Sequence, residues 1–142
     1  MYDAKPSSNV MIGAGAAYTL TSTGAFAYTW NLLEGGTVRQ LAIKLTTSAS
    51  STAAPVVTFY SRPTYGSSSS QVSLGTVTLG ATGAVNSLYL NNIKPVNVPA
   101  GSQIVAVCTT AASTGGAAIA YCTVDYAPEE PGNQSAVTLV TA

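Results

Sequence analysis

The stretch "VNVPAGSQIVAVCTT", residues 96–110, decides how the fold is read. A Pro-Ala-Gly corner leads into Ile104, Val105, Ala106, Val107 and Cys108, all apolar. A strand with a core on one side and water on the other alternates apolar and polar residues. This one does not, so both of its faces are expected to be covered. Ile104, Ala106 and Cys108 share one face; Val105 and Val107 share the other. The segment read as its hairpin partner, "AAIAYCTVDY" (117–126), behaves alike, with Ala120, Cys122 and Val124 on one face and Ile119 and Tyr121 on the other. The outer face of an antiparallel sandwich is normally wet. Either a loop of the same chain or a second subunit is expected over Val105, Val107, Ile119 and Tyr121.

Composition favours the second subunit. Charged residues make up 7% of the 142 and cancel to a net charge of zero, against about 25% charged in an ordinary domain. Nucleic acid asks for clustered Lys and Arg, and polybasic membrane attachment does too, so neither is an expected partner. Hydrophobic residues reach 46%, which excludes a disordered chain. An exterior of Ser, Thr, Asn, Gly and Ala costs little to desolvate. It suits a protein pressed against copies of itself or a large partner, and a closed ring is the usual solution for identical chains. "MYDAKPSSNV" has neither the basic nor the apolar region of a signal peptide, and no run approaches a membrane span. Synthesis in a cytoplasm is expected.

Nearly every other segment reads as strand, broken by Gly, Pro, Asn and Ser clusters. The expected strands are Asn9–Ile12, Phe26–Leu33, Thr37–Thr47, Pro55–Arg62, Val72–Leu79, Ser87–Leu90, Lys94–Val98, Gln103–Thr109, Ala118–Tyr126 and Ala136–Val140. Eight to ten short antiparallel strands imply an all-β sandwich or barrel, with residues 1–10 as an arm or extended segment and 11–142 as one domain. In "GTVRQLAIKLTT", Arg39, Leu41, Ile43 and Leu45 share the core face. Arg39, at its end, either snorkels to the rim or meets a carboxylate, Glu34 or Asp125. "QVSLGTVTLG" changes phase at Gly75, as a bulge or a sheet corner requires.

Chemistry is sparse. There is no His, which removes the commonest general base and any Cys/His zinc site. Glu129 and Glu130 read as solvated in a Pro-bracketed loop, and "GAGAAY" lacks the strand–helix unit of a nucleotide loop. No catalytic residue, metal site or cofactor is expected. Cys108 and Cys122 read either as two buried thiols or, facing each other across the expected hairpin, as a disulfide. Phe26, Tyr28 and Trp30 share a parity that reads as core. Arg62 and Tyr65, in "SRPTY", are residue types enriched at protein–protein contacts when exposed on a loop.

On "GGTVRQLAIKLTTSAS…PVVTFYSR", then "SLGTVTLGATG", then "VNVPAGSQIVAVCTT…GGAAIAYCTVDY", roughly residues 35–126, the chain resembles the small all-β head decoration (cement) proteins of tailed bacteriophages. It is similar also to jelly-roll modules of other phage virion proteins. The resemblance implies a jelly-roll-like sandwich that is made in the bacterial host and sits on the capsid exterior. It implies an oligomer, commonly a trimer, bound to the major capsid protein lattice at capsomer junctions and stabilising the shell. Under it, Asp3 and Lys5 of an arm that orders on docking, with Arg62 and Tyr65, become candidate capsid contacts. Another virion part or a carbohydrate-binding sandwich remains the alternative.

Overall fold

Val, Ile, Thr and Tyr fit a pleated, half-buried surface, and the segments rich in them are strands in the computed structural model. It describes residues 7–12, 17–26, 28–32, 35–52, 54–63, 71–126 and 137–141, with side chains over 17–26, 35–52, 54–63 and 71–125. The strands are β1 (Ser7–Ile12), β2 (Tyr18–Thr19), β3 (Gly24–Ala25), β4 (Tyr28–Leu32), β5 (Gly36–Ser50) and β6 (Val56–Pro63). They continue with β7 (Val72–Thr78), β8 (Thr82–Gly83), β9 (Leu88–Val98), β10 (Ser102–Thr110), β11 (Thr114–Tyr126) and β12 (Val137–Thr141).

Two antiparallel sheets form the molecule. One runs β1-β11-β5, with β8 and β9 both on the far side of β5; the other runs β12-β4-β10-β6-β7. The order β1-β11-β5-β9 opposite β4-β10-β6-β7 is that of a jelly roll. Early strands therefore pair with late ones, β1 with β11 and β4 with β10. Between the sheets Phe26, Leu41, Ile43, Leu45, Phe59 and Ile104 are fully buried, each worth about 1.5–3 kcal/mol of transfer from water. Tyr18 stacks on Phe26 with ring centroids 4.8 Å apart, closing one end of the core.

Residues 104–108 do have two covered faces, but in a different way from the hairpin expectation. β10 and β11 do not pair; the short link after Thr110 carries the chain from one sheet to the other. Cys108 and Cys122 accordingly lie in opposite sheets, both free and buried in the core, and no disulfide joins them. Val105 and Val107 face outward from one sheet, Ile119 and Tyr121 from the other. Val105 is fully buried within the single chain, so no second subunit is needed to cover it, while Val107 is half-buried.

Irregularities account for the other departures. The pairing of β5 with β11 and with β9 shifts register around Arg39. This bulge puts Val38 into the core beside Leu41 and leaves Arg39 exposed, off the expected core face. Gly75 sits at the irregularity expected from sequence: Phe59 opposes Gly75 and Tyr60 opposes Ser73, leaving Leu74 as the extra residue. It is a bulge and no sheet corner, since β7 stays beside β6 throughout. A Cβ on Gly75 (φ 152°) would lie 3.1 Å from Ile93 and 3.2 Å from Leu41. Ser87–Leu90 and Lys94–Val98 prove to be one strand, β9, whose Ile93–Pro95 segment bulges opposite Arg39. Ser7–Val10, within the segment read as an arm or extended segment, belong to β1, which starts two residues before the expected strand Asn9–Ile12.

Candidate functional site

The outer face of the β5 sheet is built in rows. Backbone register places Ile119, Lys44 and Leu88 side by side, then Tyr121, Ala42 and Leu90, then Thr123, Gln40 and Asn92. The middle row is apolar throughout. Leu88 and Leu90 are 55% and 54% exposed, as high as any large apolar side chain except Val72 among the described residues. Val85 joins them in the turn before β9. That turn is held to β5 by Asn86 N–H donating to the Leu45 carbonyl (2.8 Å), with Asn86 itself left-handed at φ 69°, a conformation Asn tolerates.

Because alanine is small, β5 forms the floor of a groove between two ridges. Leu88 and Leu90 make one wall and Tyr121 the other, and Ala42 at the bottom is only 7% exposed. The groove encloses about 290 Å³. Lys44 stands at one end. At the other, Gln40 donates through Nε2 to Asn92 Oδ1 (2.7 Å) and accepts from the Thr123 hydroxyl (3.4 Å). This ladder leaves the Asn92 N–H groups available as donors. Among the described residues the ion pair is Arg39–Asp125, at 3.1 Å, so Lys44 has no carboxylate partner there.

The opposite outer face is different in kind. Arg62 lies on β6, half-buried, and its Nε donates to Gln103 Oε1 at 2.6 Å. That corrects its placement on an exposed loop: Arg62 is a strand residue whose guanidinium reaches along the sheet. Thr58 and Gln103, beside it on this face, are only 7% and 5% exposed, while Val107 is half-buried. Arg39 meets Asp125, one of the two carboxylates named from sequence. Asp3, Lys5, Glu34, Tyr65, Glu129 and Glu130 lie outside the described residues, as do the side chains of Tyr28 and Trp30.

Of the four residues expected at an interface, the groove takes in Tyr121, with Ile119 on the adjoining row. Lys44, Gln40, Asn92, Leu88 and Leu90 were missed. Their signal was present, since "SLYLNN" (87–92) alternates with leucine on the face that an edge strand turns outward. Burial pushes the thiol of Cys122 up to about 12 and raises that of Cys108, so neither is a nucleophile near neutral pH. No group of three His, Cys, Asp or Glu that would hold a metal occurs among the described residues. Comparison of the chain with protein-family models, curated proteins and solved structures finds no match.

Proposed function

We propose that this protein is a non-catalytic structural subunit that decorates a bacteriophage capsid from outside, binding the assembled lattice of the major capsid protein as an oligomer. One observation carries the reading: Leu88 and Leu90 on an edge strand, and Val85 in the turn before it, are all more than half exposed. They lie within a stretch that has no charged residue between Arg62 and Lys94. A contiguous apolar surface marks an interaction site, and covering this one desolvates little charge beyond that of Lys44 at the end of the groove. The jelly-roll architecture, which capsid and lectin domains share, supports the reading by analogy only.

The stabilising action follows from mass action. A subunit that binds the assembled lattice, and not free capsid subunits, shifts the equilibrium toward the intact shell. Several small apolar contacts on one rigid oligomer then act as a single strong attachment through effective concentration. The test is cosedimentation of purified protein with empty heads. Saturable binding and a raised disruption temperature of the heads are expected; a protein that pellets no more with heads than without them ends this reading.

A further inference from the structure

The groove beside the exposed leucines is one strand wide. Lys44, Ala42 and Gln40 follow one another along β5 at two-residue intervals, so the line from the first to the last Cα is about 13 Å. A trough of ~10 Å, the spacing of the two strands that flank β5, by ~13 Å is a small part of the roughly 800 Å² per partner that two folded domains bury. Its volume, about 290 Å³, lies at the low end of sites that hold small or slender ligands. Its shape therefore suits a narrow occupant and not another globular face.

The chemistry along the line narrows the occupant further. Lys44 has no carboxylate partner among the described residues, the Ala42 floor lies between Leu90 and Tyr121, and the Asn92 donors are free at the Gln40 end. An extended peptide turns alternate side chains to one side with the same two-residue period as β5. It can set a carboxylate over Lys44, a large apolar side chain over Ala42 and an amide or hydroxyl over Gln40. A saccharide fits less well, because hydroxyls pressed against leucine walls lose water without gaining partners. A second copy of this face would bring another Lys44, and the described carboxylate, Asp125, is already held by Arg39.

We infer that this groove captures an extended segment of a partner protein in which a carboxylate stands two residues from a large apolar side chain. Under the decoration reading, on which the partner's identity rests, that segment belongs to the shell.

The test uses the full-length protein and a blocked heptapeptide, Ser-Glu-Thr-Leu-Thr-Asn-Ser, with its reversed-order twin, followed through backbone amide NMR signals. Shifts are expected at Ala42, Leu90 and Tyr121 with one of the two orders, and not with Lys in place of Glu in the peptide. Lys44→Met should weaken binding about two- to fivefold, the scale of one exposed ion pair. Lys44→Glu should switch the preference to the Lys-bearing peptide. Leu90→Asp, at an exposed position that leaves the fold intact by circular dichroism, should lose the shifts. Groove shifts absent with both orders, groove shifts produced by neutral oligosaccharides, or self-association abolished by Leu90→Asp would each overturn the inference. Heads that still bind the protein while no peptide perturbs the groove would sink the groove alone; peptide binding without head binding would sink the decoration reading alone.

Discussion

Arg39 and Asp125 stand 86 positions apart in the chain and meet because the bulge in β5 throws the arginine outward beside β11. Their side chains remain 47% and 24% exposed, so screening limits the pair to less than about 1 kcal/mol. Asp125→Asn should lower the thermal midpoint only slightly, and raising the salt to about 1 M should erase the difference. The two cysteines make a larger pH-dependent contribution. In the unfolded chain a thiol loses its proton near pH 9.0, whereas burial makes folded Cys122 hold it up to about 12. The native state therefore keeps protons that the unfolded state has released, and stability falls as pH rises through that window. Below pH 9 the contribution is complete. Urea melts between pH 8 and 11 should show the decline, and Cys122→Ala should flatten it. At pH 8 neither thiol should react with a disulfide reagent until the protein unfolds.

At the scale of the element, β10 separates two residues that its sequence treats alike. Val105 and Val107 occupy one face, yet Val105 is fully buried and Val107 half-buried. Val105→Asp places a carboxylate where the chain itself excludes water, and should cost at least ~3 kcal/mol in chemical denaturation. Val107→Asp should leave the fold nearly unchanged and, under the decoration reading, prevent the proposed oligomer, read by light scattering. An oligomer that survives it would remove Val107 from the interface.

For the whole molecule, the shortage of ions is the governing property. If attachment to a shell rests on apolar contacts and one ion pair at Lys44, head binding should change by less than about threefold between 0.05 and 0.5 M salt, since screening acts on charges alone. Measuring retention on heads across that range checks it. A tenfold or steeper loss would point to a polyanionic surface instead.

Local pattern by itself determined most of the strands, the all-β class, an irregularity at Gly75 and the burial of Leu41, Ile43 and Leu45. These follow from two-residue periodicity and from turn residues, which act over a few positions. Asp125 was also legible as one of two candidate partners for Arg39, because the chain holds so few carboxylates. Only the tertiary structure decided that β10 and β11 lie in different sheets, since a link of a few residues serves a hairpin or a crossover equally well. That one choice separated Cys108 from Cys122 and put Val105 and Tyr121 on opposite sides of the sandwich. It also decided that Lys44, Ala42 and Gln40 floor a groove, because a groove needs ridges from two neighbouring strands, and register between strands distant in sequence is set by packing of the whole core.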